Sequence, residues 1–233
     1  MPRPFLTAEW RDLLLFNWAV EPALLAPLVP SGTELDPWEG QCFVSAVGFQ
    51  FRKMAVLGVP AWGWRNFPEV NLRFYVRRKS EGEWRRGVGF VAEVTPHRVV
   101  EWIARSVYGE PYQTWPMETD VSEERTEYRI RMGDKWTGMG GRPTGPWQMP
   151  VPEARETFFI EHYWGYTQIS ETQTSEYEVT HPTWRVRPAE LERFDLDVSK
   201  LYGEQWADVL ARPPDSVVLA EGSEIAVYPG GKL

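Results

Sequence analysis

The chain has 233 residues, 42% hydrophobic and 25% charged, the balance of an ordinary folded protein and outside the disordered range. A net charge of −8, with no block of lysine or arginine, argues against a nucleic-acid or anionic-membrane surface, because phosphate binding needs clustered positive charge. The single cysteine, Cys42, excludes an internal disulfide and a thiolate metal cluster within one chain.

In chain order, Leu13 to Val20 is a dense apolar stretch that reads as a buried strand, and Pro22 suits the first turn of a short helix through Leu28. Gln41 to Phe51 alternates as a strand, with Phe43, Ser45, Val47 and Phe49 on one face and Cys42, Val44, Ala46 and Gly48 on the other. A Gly-, Pro- and Trp-rich loop, Gly58 to Pro68, precedes the clearest strand, EVNLRFYV, which sets Val70, Leu72, Phe74 and Val76 against Glu69, Asn71, Arg73 and Tyr75. Gly87 to Val94 reads as its neighbour across a turn near Glu81-Gly82-Glu83. Thr95-Pro96 reads as a helix start, with Val99, Trp102, Ile103, Ser106 and Val107 following at helical spacing. Thr126, Tyr128, Ile130 and Met132 alternate with Arg125, Glu127, Arg129 and Arg131 in a half-exposed strand. Residues 136–152 carry enough glycine and proline for a long irregular loop. Glu153 to Tyr163 then reads as a helix, Thr172 to Thr180 as a strand and Lys200 to Leu210 as a closing helix.

No repeat, low-complexity tract or Ser/Gly linker divides the chain, so residues 1–233 are expected to form one domain. The start, Met1-Pro2-Arg3-Pro4, has no apolar signal core, and no stretch nears the roughly 20 apolar residues that span a bilayer. A cytoplasmic location and no membrane contact are the expectation.

The polar face of EVNLRFYV is the most informative feature, because a carboxylate beside a guanidinium can bind an oxyanion or fix a proton on an acid. The alternative is the solvent face of an antiparallel sheet. The opposite face is the more continuously apolar, so Glu69, Asn71 and Arg73 are expected to point into a cavity. Three histidines, His97, His162 and His181, with Glu161 beside the second, fall into no HxH or HExxH spacing, so no metal site is expected. A G-x-S-x-G elbow, a GxGxxG loop and a P-loop are all missing, and no cofactor is expected.

Four segments in order, FPEVNLRFYV, ARSVYGEPY, ETFFIEHYWGY and VTHPTW, resemble the YqjF-like family of domains of unknown function. That family is similar to the acetoacetate decarboxylase superfamily. The resemblance implies a mainly β (α+β) fold, a closed antiparallel β-barrel or cone with peripheral helices around a ligand cavity. It also implies that Glu69 stands for the strand glutamate of those active sites, and Arg105 for an arginine near the end of the following helix. The enzymes begin their next strand with proline and two lysines, one of which forms a Schiff base with a keto acid. Here that place reads Pro111-Tyr112-Gln113. Tyrosine and glutamine form no iminium, so Schiff-base decarboxylation is not expected. Among the remaining lysines only Lys53, which follows a strand, stays a candidate amine. His162 stands where the family pattern has arginine.

Three readings stay open. In the first, Glu69, Asn71, Arg73, Tyr75, Arg105 and Tyr112 hold a small polar or carboxylated metabolite. In the second, the protein is a lyase, isomerase or hydrolase with Glu69 as general acid or base and Arg105 and Tyr112 as further catalytic candidates. In the third, it is a structural or interaction protein whose cavity is filled by tryptophan. Whether it forms a homo-oligomer is open as well.

Overall fold

Strands that are apolar on both faces need a covering layer on each side. In the computed structural model, which describes residues 3–107 and 109–233, both layers are present. The first half of the chain forms β1 (Leu6–Val20), α1 (Pro22–Leu25), β2 (Glu34–Leu35), β3 (Cys42–Val56), β4 (Val59–Pro60), β5 (Phe67–Ser80), β6 (Glu83–Thr95) and α2 (Arg98–Val107). The second half forms β7 (Tyr112–Thr114), β8 (Met117–Val121), β9 (Thr126–Met132), β10 (Lys135–Pro143), α3 (Arg155–Ile160), β11 (Trp164–Ser170), β12 (Gln173–Thr180), β13 (Val186–Phe194), α4 (Val198–Tyr202), α5 (Ala207–Leu210), β14 (Ser216–Val227) and β15 (Gly231–Lys232).

The long strands pair in the order β12-β11-β6-β5-β3-β1-β14, and β12 pairs again with β14 through Val179↔Val227 and Thr180↔Ala226. The hydrogen-bonded path therefore closes into a ring, mostly antiparallel, with β11 beside β6 the parallel exception. From β14 the sheet runs on through β13, β10, β9 and β8, which fold over the outside of the ring.

Alternation along each ring strand sorts side chains between two cores. Leu13, Leu15, Val47, Phe49 and Tyr75 belong to the inner cluster. Leu14, Phe16, Val44, Ala46, Val70, Leu72, Phe74 and Val76 belong to the outer cluster, where Tyr128, Ile130 and Met139 cover them. Gly48 is needed for this layering, since a Cβ there would lie inside the Tyr128 ring's closest approach. Trp18 pins the outer layer: its indole N–H donates to the Arg212 carbonyl at 2.9 Å, and its ring meets Phe194 at 5.0 Å.

The structure changes several local expectations. Residues 136–143 of the supposed loop belong to strand β10, and its glycines serve close packing instead of turns: a Cβ at Gly138 would sit 2.5 Å from the Tyr128 carbonyl oxygen, and one at Gly141 2.8 Å from Leu14. Helix α2 starts at Arg98, because Thr95 is still the last residue of β6. Its buried side carries Val100 and Ala104, while Val99, Trp102 and Val107 are exposed. The helical spacing was right and the face was wrong. The 153–163 helix shrinks to Arg155–Ile160, and the closing helix is split by Gly203, whose φ of +103° no helix accommodates. Strands β11, β13 and β14 have no counterpart in the sequence reading. Tyr108 of the ARSVYGEPY segment, with Met1 and Pro2, lies outside the described residues.

Candidate functional site

Side chains directly opposite one another on neighbouring strands share a face. The register therefore draws one row across the inside of the ring: Val47 on β3 opposite Asn71 on β5, Asn71 opposite Glu93 on β6, and Glu93 opposite Tyr112 on β7. Glu69, one pleat back along β5, sits opposite Phe49. The outer edge of β6 has two neighbours, β11 at Gly87 and Val88 and β7 at Glu93 to Thr95. Glu110, just before β7, and Gly165 on β11 both line the resulting cavity.

This cavity has a volume of about 120 Å³. Its walls are aromatic and aliphatic, with Trp10, Phe49, Phe51, Phe90 and Trp164 prominent and with Val100, Ile103 and Ala104 of α2 closing one side. The polar groups are Glu69, Asn71, Glu93, Glu110, Tyr112 and Tyr177, with Arg73 and His162 further along.

Three carboxyls here are buried: Glu69 and Glu93 are each 2% exposed and Glu110 is 5% exposed. The Tyr112 hydroxyl donates to Glu69 Oε2 at 2.7 Å, and the Asn71 amide donates to Glu69 Oε1 at 3.2 Å. The Tyr177 hydroxyl donates to Glu110. Gly165 makes that bond possible, because Tyr177 is its cross-strand partner and the ring occupies the space a Cβ would take. One oxygen of Glu93 and the Asn71 side-chain oxygen have no partner. Burial favours the neutral acids and outweighs the hydrogen bonds, pushing Glu69 up to about 8 and Glu110 up to about 7. Glu93 is raised as well, by burial and by the charges of Glu110 and Glu69.

A second buried pair borders the same space. His162 Nε2 is 3.1 Å from Asp36 Oδ2, with both side chains 2% exposed, and Arg86 Nε reaches the same oxygen at 2.6 Å. Burial opposes charge on Asp36, but the bonds from His162 and Arg86 hold its carboxyl below the ordinary range. Burial pushes His162 down to about 4, leaving a neutral imidazole whose Nδ1 has no partner.

Of the residues singled out in the sequence, Glu69, Asn71, Arg73 and Tyr112 line the cavity together. Arg105 does not: it is 62% exposed on α2 and pairs with Glu101 at 3.4 Å, the i,i+4 partner that its helical position dictates. Tyr75 shares the inner face but is consumed by structure, its hydroxyl 2.6 Å from Ser45 Oγ and its ring against Phe158. Lys53 is also elsewhere, 70% exposed and bonded to Glu9 at 2.5 Å, and no lysine lines the cavity among the described residues. Glu93, Glu110, Tyr177 and the Asp36–His162 pair were missed. One signal was available: Glu93 is a lone acid in the apolar run Val91-Ala92-Glu93-Val94.

A family model for DUF2071, described as an uncharacterized conserved protein, matches residues 7–224. The uncharacterized protein YqjF of Bacillus subtilis (strain 168) is 29% identical over 187 residues, covering 78% of this chain and 75% of that one. Among solved structures, the acetoacetate decarboxylase of Legionella pneumophila aligns with a TM-score of 0.66 at 15% identity, over 100% of this chain and 88% of its own. MppR, an enzyme of enduracididine biosynthesis complexed with pyruvate, aligns with a TM-score of 0.67 at 13% identity, over 100% and 91%. An acetoacetate decarboxylase-like enzyme from Sphingomonas wittichii RW1 gives 0.65 at 14%, over 99% and 94%. At these identities the likeness shows a shared fold. Among the described residues no helix is long and apolar enough to cross a membrane.

Proposed function

The chain belongs to the DUF2071 family, and from that premise we propose that it binds a small molecule inside the ring, with the ligand's polar end on the Glu69–Glu93–Glu110–Tyr112 cluster. The observation that carries this reading is a cavity with aromatic walls that ends on buried carboxyls and unpartnered polar atoms, the usual composition of a ligand site. Its volume of about 120 Å³ lies below the roughly 300 Å³ at which drug-sized pockets begin, and nearer the roughly 150 Å³ that holds a benzene ring. The ligand is accordingly compact.

Native mass spectrometry of freshly purified protein, followed by a thermal-shift screen of small metabolites, is expected to find a bound species or a stabilising one. A uniformly unliganded spectrum together with a silent screen would reject the reading. With no lysine in the cavity wall, incubation with acetoacetate and borohydride is expected to leave no stoichiometric adduct at any one residue. Peptide mapping that found full labelling at Lys53, or at another single lysine, would restore a Schiff-base route.

The Asp36–His162 pair favours a second reading, proton transfer within the cavity. A neutral imidazole oriented by a carboxylate is a general base, and a glutamic acid that keeps its proton near pH 7 is a general acid. In that case Glu69 and His162 would serve a lyase, isomerase or hydrolase reaction on the bound molecule. His162→Gln would abolish turnover of any substrate the screen identifies while leaving its binding measurable.

A further inference from the structure

Resting on the binding reading, we propose that the ligand is a cation: a compact organic ammonium ion whose N–H groups face Glu93, Glu69 and Asn71 while its apolar body lies among the aromatic walls. Donors and acceptors in the cluster do not match once one of its acids ionises. Asn71 commits its amide to Glu69, Tyr112 commits its hydroxyl to Glu69, and Tyr177 commits its hydroxyl to Glu110. What remains without a partner in the cluster is an oxygen of Glu93 and the oxygen of Asn71, both buried, while elsewhere on the cavity wall the Trp10 indole N–H and the Arg73 Nε also lack one. A neutral acid carries one O–H donor of its own, so the cluster becomes short of donors once one of its acids ionises. An ammonium group supplies three donors, no acceptor and the charge that an ionised acid lacks, whereas a carboxylate supplies only acceptors and finds a donor here only on acids that keep their protons.

Charge points the same way. The influences on the three carboxyls are burial, one another, Tyr112, Asn71 and Tyr177, with no cationic side chain among them. Arg73 is four residues along β5 from Glu69, about 13 Å of strand, and spends an Nη2 hydrogen on the Phe159 carbonyl at 2.8 Å. His162, before β11, is neutral and bonded to Asp36. The rings of Trp10, Phe49, Phe51 and Phe90 add the environment in which desolvated cations are attracted to aromatic groups, while Trp164 already has the Arg85 guanidinium 4.3 Å from its centroid.

Binding then exchanges one charge for another. The ammonium ion enters, one glutamic acid of the cluster gives up its proton to solvent, and the site holds a neutral pair. The groups that face this event are Glu69 on β5, Glu93 on β6, Glu110 and Tyr112 at β7, and Tyr177 on β12.

The test is calorimetry on the full chain with three probes of matched size: butylamine, butanol and butyrate. Butylamine is expected to bind at least tenfold tighter than either of the others at pH 8. Its affinity should rise by up to about tenfold per pH unit between pH 6 and pH 8, the slope set by release of one proton. The observed heat should differ between phosphate and Tris, which absorb that proton with different enthalpies. Glu93→Gln should narrow the gap between butylamine and butanol to under threefold, and Glu110→Gln, checked for folding by its melting curve, should do the same in part. Butanol or butyrate binding as tightly as butylamine would overturn the cation proposal and leave the binding reading standing. If none of the three binds, the cation proposal falls, and the native spectrum and metabolite screen decide the binding reading separately.

Discussion

A Glu69→Gln/Glu110→Gln double variant is expected to be more stable than the parent at pH 8 by several kcal/mol, and to match it at pH 4. Both carboxyls are buried and hold their protons to about 8 and about 7 in the folded chain, against 4.5 for an ordinary glutamate. The folded state therefore binds more protons than the unfolded state between pH 4.5 and 8, and stability falls as pH rises through that window. Below 4.5 both states are protonated and the contribution is fully present. Above 8 it has gone. Glutamine keeps the shape and the hydrogen bonds of the neutral acid and has no proton to lose. Each pKa unit corresponds to about 1.4 kcal/mol, so two groups raised by several units give a difference of several kcal/mol.

His162 works in the opposite direction. Its folded value is depressed to about 4, so its contribution grows as pH rises from 4 to 6.5, and parent and variant share it equally. The difference between the two proteins isolates the glutamates. In a chain of this size 1 kcal/mol moves the melting temperature by about 2–4 °C, so thermal or urea melts at pH 4, 6.5 and 8 resolve the effect easily. Equal stability at all three values would mean that the carboxyls ionise normally inside the fold.

Gly165→Ala is expected to destabilise the protein by about 2–6 kcal/mol and to weaken ligand binding as well. The added methyl falls on the ring of Tyr177, which cannot retreat without leaving Glu110. Overpacking of this kind costs about 1–3 kcal/mol. A buried acid that loses its hydrogen bond costs about 1–3 kcal/mol more. Tyr177→Phe separates the two contributions, since it deletes the hydroxyl and keeps the ring in place, and should show only the second. Urea melts at pH 6, where Glu110 is still mostly protonated, provide the comparison. A Gly165→Ala chain as stable as the parent would show that the ring moves aside freely and that the Tyr177–Glu110 bond contributes little.

The two halves of this protein differ in how far their sequence announces them. Alternation in EVNLRFYV placed Glu69, Asn71 and Arg73 on one face, and the four motif segments carried the fold by resemblance, because each is a local pattern that neighbouring residues complete. Helix α2 shows where such patterns stop: apolar residues lie on two of its sides, and only the position of the ring decides that Val100 and Ala104 turn inward while Trp102 stays in water. Strand β10 shows the same limit, since a glycine required for closeness to Tyr128 is indistinguishable in sequence from a glycine required for a turn.

By itself, then, the sequence determined that the chain folds, that it is rich in alternating strands, and that one strand carries a carboxylate, an amide and a guanidinium on a single face. Tertiary structure alone decided that Glu93, Glu110 and Tyr177 join them and that Arg105 and Lys53 do not. Period-two alternation reports which residues of one strand share a face, but the row from Val47 to Tyr112 depends on which strands become neighbours and in what register. That pairing is set by closure of the ring at β12 and β14, a contact between Val179 and Val227 that lie 48 positions apart and are unrelated by any local pattern.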